Sequence, residues 1–225
     1  MKLVILGATG TVGRGVLLEA LDDPAVTQIL TLGRSKSGEL HPKLRELVHD
    51  NLFDPAPIQN QLRGYDACAF CAGVSSVGMS EAGYTRLTYD MTLAVAKTFL
   101  AANPGGAFAY VSGQGTDSTE RGAMMWARVK GRTENALMAM PFRAATMFRP
   151  GAIQPERGIR PRQRLYRVFY AFARPFSGLI IRIGAGTTTT LLARAILEAL
   201  ERPPQKRILE NNDINALAAQ RRRSR

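Results

Sequence analysis

The stretch Gly7-Ala8-Thr9-Gly10-Thr11-Val12-Gly13 constrains this chain more than any other. It follows the apolar run Leu3-Val4-Ile5-Leu6 directly and opens the helix-like segment Val16-Leu17-Leu18-Glu19-Ala20-Leu21. Strand, glycine turn and helix in that order make the first unit of a doubly wound sheet. Gly7 suits the tight turn, Gly10 leaves the backbone bare where a pyrophosphate approaches, and Gly13 lets the helix pack against the strand. The unpaired N–H groups at the helix start, with the helix dipole behind them, form an anion site.

The rest of the chain keeps the alternation. Apolar periodicity predicts strands at 2–6, 28–32, 44–48, 67–71, 107–112, 143–148 and 207–209, and helices at 11–21, 57–62, 81–102, 124–140 and 188–201. Apolar strands spaced by amphipathic helices imply a parallel sheet covered on both faces. The expected fold is therefore α/β, a doubly wound parallel sheet of the Rossmann type. Pro150, Gly151, Pro155, Gly158 and Pro161 break the pattern and begin a small C-terminal cover over roughly 150–185, the expected substrate region. With 225 residues, 45% of them hydrophobic, the chain suits one core, expected as a single domain over 1–220 followed by a disordered basic tail at 221–225.

Charge is distributed unevenly. Part of the formal net charge of +12 lies in Arg221-Arg222-Arg223-Ser224-Arg225 and part between Arg157 and Arg174. No zinc-finger, basic-zipper or aromatic RNA-binding motif accompanies these arginines, so no specific nucleic acid is expected. Within 163–176, Leu165, Val168, Phe169, Phe172 and Phe176 share one helical face, with Arg167 and Arg174 opposite. The reading preferred for this segment is a cover packed beside the cleft; a peripheral membrane contact is not favoured, and a protein partner stays open. Apolar runs fall short of the about 20 residues a membrane-spanning helix needs, and glycines with Arg14 interrupt the first one, so a soluble, cytoplasmic protein is expected. Cys68 and Cys71 stand three apart in a strand and point to opposite faces, which opposes a disulfide or a shared metal. His41 and His49 are too scattered for a metal centre, so none is expected.

After the second strand comes Gly33-Arg34-Ser35-Lys36. A cation at that point accommodates the 2′-phosphate of NADP, where an acid would hold the ribose of NAD. Arg34 therefore favours NADP(H), with NAD(H) still admissible, and Arg14 and Lys36 are candidates to join the same positive pocket. At these residues the chain resembles the short-chain dehydrogenase/reductase superfamily, specifically its atypical branch of NAD(P)-binding epimerase- or reductase-like proteins, and within it small oxidoreductases of the TIP family. Gly7 to Arg14 looks like that branch's glycine motif, which implies cofactor contacts from Gly7, Thr9, Gly10, Thr11, Val12 and Gly13, with Arg34 and Ser35. His49-Asp50-Asn51-Leu52 is similar to the adenine-contacting segment, which implies Asp50 and Asn51. Cys71-Ala72-Gly73 and Phe148-Arg149-Pro150-Gly151 resemble the turns after the fourth and sixth strands, which implies Ala72, Gly73 and Pro150.

The resemblance also implies a catalytic serine with a Tyr-x-x-x-Lys pair. Ser112 matches the serine and Lys130 the lysine, which in the family also holds the nicotinamide ribose. Trp126 stands where the tyrosine would be. An indole N–H donates a hydrogen bond but does not cycle a proton near neutral pH, so Trp126 reads as an apolar wall. Gly113 replaces a second serine, leaving Thr116 and Ser118 as nearby hydroxyls, with water or Tyr84 as proton sources. The preferred function is an NADP(H)-dependent oxidoreductase that passes hydride to a quinone, flavin or enone type of small molecule without a tyrosine acid. The alternative is a non-catalytic NADP(H)-binding regulator or sensor.

Overall fold

Alternation along the strands decides the architecture. In β1 (Lys2–Leu6), Leu3 and Ile5 belong to one buried cluster and Val4 and Leu6 to another. Both faces of the strand therefore have to be covered. The computed structural model describes residues 1–159 and 186–223. After β1 come α1 (Thr11–Asp22), β2 (Gln28–Gly33), β3 (Leu44–Val48), a 3-10 helix (Ala56–Leu62), β4 (Ala67–Phe70), α2 (Glu81–Thr85), a π-helical turn (Arg86–Asp90), α3 (Met91–Ala102), β5 (Ala107–Val111) and α4 (Met125–Ala139). The chain continues through β6 (Ala144–Arg149), β7 (Ala152–Gln154), β8 (Gly186–Thr188), α5 (Thr189–Glu201), β9 (Ile208–Glu210) and α6 (Asn211–Arg223).

Seven strands form one sheet in the order β3-β2-β1-β4-β5-β6-β9, with every neighbouring pair parallel. β7 and β8 make a separate parallel pair. This is the doubly wound sheet expected from the sequence. The strand order reverses between β1 and β4, which opens a crevice at the carboxyl ends of those strands.

The two faces are filled differently. Ala67, Ala69, Ala107 and Ala109 present small side chains to the cluster that contains Val16 and Leu17 of α1 and Leu192 and Ile196 of α5. On the opposite face stand Phe70, Phe108 and Tyr110, packed with Phe99 of α3 and with Leu137 of α4. Phe108 and Phe142 stack with ring centroids 5.0 Å apart. Small residues let two helices lie close to the sheet, whereas the aromatic side supplies the larger buried area per residue.

Three departures from the sequence reading are informative. The single helix expected over 81–102 is α2 and α3 joined by the π-helical turn, with Tyr84 and Thr88 buried on it. The pair β7 and β8 follows no alternating run long enough to reveal it. Most consequential is the C-terminus: Arg221 is not in a solvated tail but in α6, at 4% exposure. Its Nε donates to Asp23 at the end of α1 at 2.9 Å, and its Nη1 to Glu198 and Glu201 of α5, each at 3.1 Å. An arginine run reads as solvated because the acids that receive one member of it come from two distant helices. The amphipathic segment 163–176 lies outside the described residues. Among the described residues, no helix is long and apolar enough to cross a membrane.

Removing one partner of a buried ion cluster strands the others, at a cost of about 3–5 kcal/mol. R221M is accordingly expected to lower the melting temperature by about 10 °C for a chain of this size. A thermal melt by circular dichroism checks this, and an unchanged midpoint would restore the solvated-tail reading.

Candidate cofactor and active site

The crevice at the carboxyl ends of β1, β2 and β4 holds a cavity of about 460 Å³, within the range of small-molecule sites. Its floor is the turn from β1 into α1. Gly7 adopts φ +79°, and a Cβ placed there would stand 2.7 Å from the backbone nitrogen of Ala72. A Cβ on Gly13 would lie 2.1 Å from the Gly7 carbonyl oxygen. Both positions are therefore closed to any side chain. Gly10 is the N-cap of α1, no side chain caps the helix, and no acid lies in its first turn. The first-turn amides are left for an anion, backed by the dipole. This bare cradle fits a dinucleotide pyrophosphate.

Of the residues singled out from the sequence, Gly7, Thr9, Gly10, Thr11, Val12, Arg34, Ser35, Ala72 and Gly73 line this cavity together. Gly13 lies behind it as the packing point of the helix. Asp50 and Asn51 are exposed and outside the lining, which takes Leu52 from the same segment instead. The Asn51 side chain accepts from the Phe53 amide at 3.2 Å and so shapes its own turn. Lys130 and Pro150 are also outside the lining. Thr31 and Leu32 of β2 contribute, as does Ile153 of β7, a position that no local pattern announces.

Electrostatics separate the cations around the rim. Arg14 is half-buried and spent: it pairs with Glu39 and donates to the Ser37 carbonyl at 2.9 Å, fastening the loop after β2. Arg34 is exposed at the rim and makes no ion pair with another described residue. Cys71 lies in the lining, where burial pushes its thiol up to about 12. Cys68 faces the opposite cluster and is also held well above its usual value by burial. Neither thiol forms a thiolate near neutral pH.

At the end of β5 the expected catalytic residues are placed unexpectedly. Ser112 is 5% exposed, and its Oγ lies 2.5 Å from Glu134 Oε1 and 3.1 Å from the Phe148 carbonyl. A hydroxyl has one proton, and the carboxylate is the stronger acceptor. Glu134 also receives Arg149 Nε at 3.1 Å, and Arg149 donates to Ser118 Oγ. Thr116 donates to the Gly113 carbonyl at 2.7 Å. The hydroxyls of Ser112, Thr116 and Ser118 are thus engaged in holding the protein together. Tyr84, a candidate proton source in the sequence, is 2% exposed in the core, with burial raising its phenol. It does not open onto the cleft. The Ser112 carbonyl receives the Lys130 ammonium.

Trp126 is half-buried in the first turn of α4, and its ring edge lies 3.4 Å from where a Gly115 Cβ would be. The loop between β5 and α4 is pinned at Gly131, where a Cβ would meet the Asp117 carbonyl at 1.7 Å. Asp117 itself accepts from Thr119, Arg121 and Gly122, which holds its carboxyl down at about 2. That glycine follows Lys130 directly, so the loop and the lysine are set in register. The close approach could have been suspected from a glycine inside a helix.

No family model matches the chain. It is 28% identical to Protein HTATIP2 of Rattus norvegicus over 223 residues, which cover 95% of this chain and 87% of that protein. It is also 28% identical to the fmp52 protein of Emericella nidulans over 176 residues, which cover 75% of this chain and 74% of that one. The dTDP-glucose 4,6-dehydratase DesIV of Streptomyces venezuelae, solved with NAD bound, superposes with a TM-score of 0.67 at 19% identity, covering 98% of this chain and 80% of that one. A short-chain dehydrogenase of Burkholderia cenocepacia in complex with NADP gives 0.65 at 17% identity, with 100% and 97% covered. The fungal fmp52 relatives are named mitochondrial, which overturns the expectation of a cytoplasmic protein. The doubly wound sheet and its glycine cradle form a Rossmann-like fold shared with these solved structures, and the chain is similar to atypical short-chain dehydrogenase/reductase proteins, with Trp126 where their tyrosine is expected.

Proposed function

We propose that the chain is an NADP(H)-dependent oxidoreductase that passes hydride to a small acceptor of the quinone, flavin or conjugated enone type. The observation that carries this reading is the pairing of an uncapped glycine cradle with Arg34, a rim cation that no carboxylate of the described residues neutralises. The cradle takes the pyrophosphate and Arg34 takes the 2′-phosphate. Lys36 stands exposed two residues on and adds to the same field. The two superposed structures divide between NAD and NADP, so the choice between them falls to residues at the end of β2.

The acceptor class follows from what the end of β5 lacks. Trp126 has no proton acidic enough to transfer near neutral pH, and Ser112 gives its own to Glu134. Carbonyl reduction that depends on a strong hydrogen-bond donor pair is disfavoured by this arrangement. Acceptors that delocalise the incoming electron pair need orientation more than acid assistance. The bound cofactor supplies the hydride. Leu52, Ile153 and the α1 turn line the cavity that would hold it.

Calorimetric titration tests the cofactor assignment. NADPH is expected to bind wild type more tightly than NADH, and R34A to lose about 10–100-fold for NADPH, the worth of a charge-assisted contact, with NADH little changed. Equal losses for both cofactors would remove Arg34 from the 2′-phosphate. NADPH oxidation followed at 340 nm against quinone, flavin and enone acceptors tests the chemistry. Turnover with at least one class is expected; tight binding with no turnover of any would overturn the oxidoreductase reading.

A further inference from the structure

The reduced acceptor needs a proton, and among the described residues the end of β5 places a lysine ammonium where it can give one. Lys130 sits on α4 one turn after Trp126, half-buried, with its Nζ on the Ser112 carbonyl. One of three ammonium N–H bonds is used in this way, and no other described residue accepts from it. The next residue along β5, Gly113, has no side chain, and a Cβ built there would come 3.9 Å from Nζ. The ammonium therefore stands beside the bare Gly113 backbone at the strand end, with no side chain between them. The protons of the two buried hydroxyls beside it are committed, Ser112's to Glu134 and Thr116's to the Gly113 carbonyl, while the exposed Ser118 accepts from Arg149.

Building on the oxidoreductase reading, we propose that Lys130 is the proton donor to the acceptor and that Ser112 is the positioning residue that holds it. As hydride adds to the acceptor, an electron pair moves onto the acceptor oxygen. That oxygen forms its O–H bond as the Lys130 N–H bond breaks, and the neutral amine regains a proton from water. Nicotinamide is oxidised, the acceptor is reduced by two electrons, and no further reactant is required.

The surroundings favour this transfer. Burial pulls the Lys130 ammonium down to about 8, with Glu134 on the same helix acting in the opposite sense. A lysine in that range is both charged at neutral pH and ready to release its proton. The other ionisable groups packed around this corner are Arg149 of β6, paired with Glu134, and the phenols of Tyr110 in β5 and Tyr84 in α2, both raised by burial. Lys130 is therefore the group there that changes charge between neutral and mildly alkaline pH.

The closing experiment has two arms. In cofactor-free protein labelled at lysine, the Lys130 ε-carbon resonance, assigned by its loss in K130R, is followed by NMR through alkaline pH; a midpoint near 8 is expected, and one above about 10, the value of a solvated lysine, would overturn the proposal. In the second arm, kcat for NADPH oxidation is measured against pH in wild type, K130M and K130R. Wild-type kcat is expected to fall as pH rises through the Lys130 midpoint. Both variants are expected to lose about 100-fold in kcat and that pH dependence, since arginine keeps the charge but does not release the proton. Rescue by K130R would mean that the lysine only holds the ribose and would overturn the proton role alone. NADPH binding without turnover in wild type would instead overturn the oxidoreductase reading, and the proton role with it.

Discussion

The contact between the backbone at Gly13 and the carbonyl of Gly7 is the constraint on which the rest depends. It brings the first turn of α1 against the end of β1, where the strand order of the sheet reverses. The uncapped amides of that turn then face the crevice between β1 and β4 rather than solvent at large. Any side chain at Gly13 would push the helix off the strand and turn its dipole away from the site. Cofactor binding is in this sense a packing outcome before it is an electrostatic one.

Electrostatics then sort the cations of a strongly basic chain. Arg221 is consumed by Asp23, Glu198 and Glu201, Arg149 by Glu134 and Glu210, and Arg14 by Glu39. Glu19, buried in α1, takes both Arg157 and Arg194. These pairs join separate elements, several of them far apart in sequence, as Arg221 with Asp23 and Arg194 with Glu19. The net charge is thus a poor guide to ligand contacts, and Arg34 stands out because it lines the cavity and pairs with no described acid. The same accounting at the end of β5 leaves Lys130 with N–H bonds that no described residue accepts, while the Ser112 and Thr116 protons are occupied.

Much of the fold was legible because the signals are local. Period-two runs such as Leu3-Val4-Ile5-Leu6, and the glycine spacing after them, depend on neighbours within a few residues. The glycine cradle, and the place of Arg34 in the cavity lining, were legible for the same reason. What the sequence hid is what depends on distant partners. Arg221 looks like part of a solvated run until α1 and α5 bring their acids to it. Ser112 looks like a catalytic hydroxyl until the fold sets Glu134 2.5 Å away. Ile153 reaches the cavity only because β7 leaves the main sheet, and Leu52 rather than Asp50 or Asn51 faces it because the Asn51 side chain is used within its own turn.

A crystal structure with NADPH tests the central claim most directly. The account predicts the pyrophosphate on the first-turn amides of α1, the 2′-phosphate within hydrogen-bond distance of Arg34, and the nicotinamide turned toward the end of β5, with Lys130 on its open side. A nicotinamide directed away from β5, or a 2′-phosphate in solvent with Arg34 uninvolved, would contradict it.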